Sequence, residues 1–152
     1  MLRIITGDLL DQDVDVLVNA WNRNVLPWWL LLPHGVSGAI KRRAGYAPFR
    51  ELARLGPIPA GGAVITGAGR LPQRAIIHVA GLTLFWTSSE AIVRRCVVSA
   101  LALAASRGFR SIAFPLIGAG TGGLSPERVL AVMQEEVERS GYDGEVRLIR
   151  LP

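Results

Sequence analysis

The feature that most constrains this chain is an interleaving of two hydrophobic periods. Near-continuous apolar runs recur at Val14 to Ala20 in "VDVLVNA", Ala75 to Gly81 in "AIIHVAG" and Ser111 to Gly118 in "SIAFPLIG". Such runs suit strands buried on both faces. Stretches of helical spacing lie between them. "SGAIKRRAG" opens with Ser37 as N-cap and stops at Gly45, and Pro48 to Leu55 forms a second short piece. Glu90 to Arg107 is the longest predicted helix, with Ser88 or Ser89 as N-cap and Gly108 beyond its end. "SPERVLAVMQEEVERSG" takes Ser125 as its cap and Pro126 in its first turn. Further strands are expected at Leu2 to Ile5, Ala63 to Gly67 and in the closing "EVRLIRL". Strands buried on both faces need helices on both sides, so the predicted fold is α/β: a three-layer α/β/α sandwich around a mixed, mostly parallel central sheet.

With 152 residues and neither repeat nor linker, the chain is expected to form a single domain over 1–152. No run approaches the about 20 apolar residues of a membrane helix, and no membrane partner is expected. Asp8, Asp11, Asp13 and Asp15 stand where a secretory signal needs an uncharged apolar core, so a cytoplasmic location is expected. Cys96 is the only cysteine, which excludes an intramolecular disulfide and argues against a cysteine-based metal site. It reads as a small buried hydrophobe. The net charge of +5 is nearly all arginine, Lys41 being the only lysine. The densest basic cluster, Lys41-Arg42-Arg43, reads as a solvated surface in preference to a nucleic-acid face.

In a sheet of this kind ligands sit where strands run out into loops, so the junctions carry the functional information. "ITGDLL" leaves the first strand, "VNAWNRN" the second, "HGVSGAI" enters a helix, and "PLIGAGTGGLSPER" joins a late strand to the next helix. The last two combine permissive glycines with a helix N-terminus, whose free N–H groups and positive dipole end suit a phosphate. There is no P-loop lysine motif and no dinucleotide fingerprint. His78, flanked by apolar strand residues, reads as a satisfied structural histidine.

Taken in order, "GDL", "DVLVNAWN", "GVSGAIKRRAG", "GGAVITGAGRLPQRAIIHVAG" and "SIAFPLIGAGTGGLSPERV" resemble the macrodomain family over nearly the whole chain. The resemblance implies an ADP-ribose cleft at one end of the sandwich, with no cofactor and no metal. By position it implies that Asp8, with Leu9 beside it, receives the adenine amino group, and that Asn22 bonds the distal ribose while Asn19 braces the loop through backbone contacts. Gly35, Val36 and Ser37 would cradle one phosphate, and Gly118, Ala119, Gly120, Thr121 and Gly122 the other.

Three departures from the family pattern bear on function. "VLPWWLLLPH" replaces a short glycine run near the distal ribose, so Trp28 and Trp29 are expected to wall the cleft and exclude water, with at least one of them facing the ligand; the alternatives are a loop core packed on the sheet or an apolar patch for a partner. Ser37 stands where protein-directed hydrolases of the family carry an aspartate that helps activate water, and a serine without a partner is no base at neutral pH. Gly122 stands where many relatives place an aromatic. The catalytic candidates are therefore Asn22, His34 and Ser37, assisted by the ligand's own phosphate. The expected function is hydrolytic removal of ADP-ribose from an acidic side chain of a modified protein or from a nucleobase of nucleic acid. The alternatives are a non-catalytic ADP-ribose reader and, further off, a nucleic-acid-binding module. The sequence leaves the oligomeric state open, a monomer included.

Overall fold

The computed structural model describes residues 1–22, 35–82, 87–119 and 122–152. Six strands, β1 (Leu2–Thr6), β2 (Val16–Asn22), β3 (Ala63–Thr66), β4 (Ala75–Leu82), β5 (Ser111–Pro115) and β6 (Glu145–Arg150), form one sheet in the order β1-β6-β5-β2-β4-β3. All neighbours are parallel except β3, which runs antiparallel to β4 at one edge. The helices are α1 (Gly35–Ala44), α2 (Ala47–Leu55), α3 (Glu90–Ser106) and α4 (Pro126–Ser140), with a 3₁₀ turn at Leu9–Asp11. The expected mixed, mostly parallel α/β/α sandwich is what forms.

Because successive strand residues face opposite sides, β2 and β4 feed two separate cores. Val16, Val18, Ile77 and Val79 pack with Val93, Cys96, Val97 and Ala100 of α3 and with Val132 and Met133 of α4. Leu17, Ile76 and Ala80 face the other way, against Ile40 of α1 and Phe49 and Leu52 of α2. Cys96 is fully buried in the first of these cores, as its sequence context implied. Burial pushes its thiol up to about 12, so it stays protonated and unreactive.

The helix starts follow from side-chain capping. Ser89 Oγ accepts from the Ile92 N–H at 3.2 Å, and Ser125 Oγ accepts from the Arg128 N–H at 3.2 Å. Arg94 ties α3 to Glu135 and Glu136 of α4, and Arg128 of α4 pairs with Glu90 at the start of α3. One expected cap is corrected. Ser37 is the third residue of α1 rather than its N-cap, because the helix already includes Gly35 and Val36.

Among the described residues, no helix is long and apolar enough to cross a membrane. The cluster Lys41-Arg42-Arg43 is not a uniform solvated surface. Lys41 is 7% exposed, its ammonium lies 5.1 Å from the centre of the Phe49 ring, and burial lowers its pKa. Arg43 turns toward Asp8 and Asp11. Arg42 is the member of the three that simply faces water.

Candidate functional site

The five parallel strands all end at one edge of the sheet. The junctions that leave β1, β2 and β5 lie at that edge. Gly7 leaves β1 with its N–H donating to the Arg150 carbonyl of β6 at 2.9 Å, which fixes where Asp8 begins. Asp8 is an N-cap: its Oδ1 accepts from the Leu10 N–H at 2.9 Å and so starts the 3₁₀ turn. Its Oδ2 lies 3.7 Å from Arg43, which also meets Asp11 at 3.0 Å. The Asp8 side chain remains 55% exposed, and a carboxylate has about four acceptor positions, so both contacts leave room for another donor. Leu9 turns inward and is 6% exposed, leaving its main chain as the part that can meet a ligand.

Asn22 closes β2 directly after an irregularity. Trp21 pairs with Ala80, but Asn22 pairs with Leu82, so Gly81 is an extra residue in β4. Such a bulge re-aims the strand beyond it.

The described residues on either side of 120–121 in the glycine loop after β5 are bonded to one another. Leu124 N–H donates to the Gly118 carbonyl at 3.2 Å, Ala119 N–H to the Leu116 carbonyl at 3.4 Å, and Ala119 and Leu124 form an isolated bridge. Gly118 has φ +82°, and a Cβ built there would lie 2.8 Å from Ser88 Oγ. Both facts demand glycine. Ser88 N–H in turn donates to the Gly122 carbonyl at 3.3 Å, joining the approach to α3 to this loop.

Ser37 brings no activating partner from the described residues. Its Oγ is buried and makes no hydrogen bond among them, so neither a base nor a carboxylate there prepares it for chemistry. Asn19 makes a contact its local sequence did not show: its Nδ2 meets His78 Nδ1 at 3.0 Å. His78 Nε2 is 2.9 Å from Thr66 Oγ1, and that hydroxyl donates to the Gly67 carbonyl at 2.9 Å. This direction fixes the rest of the chain of bonds. His78 carries its proton on Nε2 and accepts from Asn19 at Nδ1, as a neutral imidazole. The ring is fully buried, edge-on to Phe49 at 5.9 Å, and burial lowers its pKa to about 3. The satisfied structural histidine expected from the sequence is what the strands hold.

Trp28, Trp29, His34, Gly120 and Thr121 lie outside the described residues. Among the described residues no group of histidine, cysteine, aspartate or glutamate could hold a metal ion. Sequence reasoning missed two features of this edge: the capping role of Asp8 and the bulge at Gly81. Aspartate before "LLD" was a visible cap signal. The bulge had no local signal, since it depends on pairing with β2.

A family model, Macro domain, matches residues 18–133. The chain is 41% identical over 153 residues to a "Macro domain-containing protein in non 5'region" of Streptomyces griseus, covering 91% of this chain and 84% of that protein. It is 39% identical over 137 residues to the O-acetyl-ADP-ribose deacetylase of Klebsiella pneumoniae, covering 85% and 74%. The solved macrodomain of Oceanobacillus iheyensis with ADP superposes at TM-score 0.83 with 29% identity, covering 99% of this chain and 82% of that one. The chain belongs to the macro domain family.

Proposed function

We propose that this protein binds ADP-ribose at the carboxyl edge of its parallel strands and hydrolyses the bond between the distal ribose and an acidic protein side chain or a nucleobase. The observation that carries the binding half is the convergence on one sheet edge of Asp8, the end of β2 at Asn22 and the Gly118–Gly122 loop. In this reading Asp8 and the Leu9 main chain take the adenine. Gly35, Val36 and Ser37 in the first turn of α1 hold one phosphate, and Gly118 through Gly122 the other, through rigid uncharged backbone donors. The solved relative with ADP supports the ligand class, since ADP is the adenosine and diphosphate part of ADP-ribose.

The hydrolytic half draws support from the relative named O-acetyl-ADP-ribose deacetylase. Its named substrate is a carboxylate ester of ADP-ribose, and so is ADP-ribose attached to glutamate. Asn22 orients the distal ribose, the ligand phosphate positions water and stabilises developing positive charge at the anomeric carbon, and His34 acts as base. Trp28 and Trp29 close the pocket against bulk water.

One observation favours a reader instead: Ser37 occupies the aspartate position, and its hydroxyl has no partner among the described residues. The deciding experiment incubates the protein in parallel with O-acetyl-ADP-ribose and with ADP-ribose linked to glutamate, serine, arginine and thymidine, following release of ADP-ribose. Turnover of an ester or of the thymidine adduct supports the hydrolase and names its class. Tight ADP-ribose binding with no turnover of any substrate leaves the reader.

A further inference from the structure

We infer that Gly81, at the end of β4, is a positioning residue whose missing side chain sets the place of the glycine loop after β5 and thereby the protein's preference for a diphosphate over a monophosphate. The inference rests on the ADP-ribose reading above and adds a residue that does not itself touch the ligand.

The geometry is specific. A Cβ built on Gly81 would lie 2.7 Å from Ile117 Cγ2 and 4.0 Å from the Gly118 nitrogen. Carbon atoms in contact prefer about 3.5–4.0 Å, so one methyl group asks for a displacement of roughly 1 Å. Of the two sides, β4 is the better anchored, through the residue before Gly81. Ala80 N–H donates to the Gly62 carbonyl at 3.1 Å, and the Ala80 carbonyl accepts from the Gly61 N–H at 2.9 Å and from Cys96 Sγ at 3.4 Å. Ile117 lies two residues past the end of β5, outside the ladder, and its side chain is fully buried with no free volume to swing into. The loop must therefore yield. On its far side the loop faces Ser88 and Leu124, where a Cβ built on Gly118 would lie 2.8 Å from Ser88 Oγ and 3.1 Å from Leu124 Cδ1. The segment Ile117–Gly118 is thus held between β4 and the approach to α3 by two glycines facing opposite ways. A methyl at position 81 displaces the turn that carries Gly118 and Ala119.

With that loop taken to hold the phosphate distal to adenosine, this predicts a loss of ADP binding that AMP does not share, since the adenine end is built on β1. The test measures dissociation constants of ADP and AMP by calorimetry for the unmodified protein, Gly81→Ala, Ile117→Ala and the double variant, with thermal melts alongside. Gly81→Ala should lower the ADP-over-AMP preference by about tenfold or more, in the manner of a small misplacement near a bound group. Ile117→Ala removes the stop against which the loop rests and should lower the same preference. The double variant, in which the new methyl occupies the space left by Cγ2, should recover it even if its melting temperature does not recover. Ile117→Val keeps Cγ2 and should behave as the unmodified protein. An unchanged preference in a folded Gly81→Ala variant, or equal weakening of both nucleotides, overturns the inference while leaving the ADP-ribose reading intact. Should Gly81→Ala fail to fold, an unchanged preference in Ile117→Ala overturns it equally. Failure of the unmodified protein to bind ADP removes both.

Discussion

Acid should weaken this fold well before its carboxylates protonate, and His78 is the reason. In the native state the ring is fully buried, donates from Nε2 to Thr66 and accepts at Nδ1 from the Asn19 amide, and burial lowers its pKa to about 3. The unfolded chain has no such constraint and takes up a second proton near about pH 6.5. As pH falls through about 6.5 the unfolded state gains a proton that the folded state refuses, so stability declines until the folded pKa is reached. Two pH units at about 1.36 kcal/mol each give roughly 2.7 kcal/mol lost between about pH 6.5 and 4.5, out of a typical total of about 5–15. Glu90, held low by its hydrogen bond to Arg128, and Glu145, held low by Arg147, lose their contributions only at lower pH. Urea melts at half-unit steps through this window should show the decline for the protein carrying His34→Ala, which removes the other histidine. A His78→Gln variant, less stable at every pH, should be flat over the same range. Equal slopes with and without His78, or a native imidazole that titrates near pH 6 by NMR, would falsify the neutral buried histidine.

The site itself yields four further expected outcomes. Asp8→Asn keeps an acceptor for the Leu10 N–H and should retain stability while weakening ADP-ribose binding by about 1–3 kcal/mol in calorimetry; Asp8→Ala should also lose the cap, about 0.5–2 kcal/mol in urea melts. If both variants bind normally, the adenine lies elsewhere. Gly118→Val, which demands φ +82° of a branched residue against Ser88, should abolish ligand binding, and a variant that binds as well as the parent would move the phosphate site. Asn22→Ala should cut turnover by about a hundredfold on whichever linkage is cleaved, as single-turnover assays would reveal. His34→Ala should cost roughly 10²–10⁴ in rate, with parent activity falling as pH drops through about 6.5; a flat profile with little loss leaves substrate-assisted catalysis.

Much of the architecture was legible because burial on both faces writes an unbroken apolar run. "VDVLVNA", "AIIHVAG" and "SIAFPLIG" announced β2, β4 and β5 to within a few residues. Caps were legible where serine precedes a helix whose start has no competing signal, as at Ser89 and Ser125, and misread at Ser37, where the helix starts two residues earlier. The Asn19 contact could not be read locally because its partner, His78, lies 59 positions away and becomes a neighbour only through strand register. Lys41 looked solvated beside two arginines, yet helical geometry turns it toward Phe49. Gly81 could be read only as a strand-ending glycine, since the atom it must avoid belongs to Ile117 in another loop.

The pairing of β1 has a consequence for the order in which the molecule assembles. Among the described residues β1 pairs only with β6, with Leu2 opposite Val146 and Thr6 opposite Arg150, so its ladder joins segments more than 140 positions apart. A contact of that sequence separation closes late, after shorter loops have closed and the inner strands have condensed. On the ribosome, β2, β4 and β5 can associate while β1 waits for a partner still inside the exit tunnel. Asp8, whose position depends on the Gly7 bond to Arg150, is therefore among the last parts of the cleft to be set. A nascent chain would acquire its glycine loop first and its adenine end only once β6 has emerged.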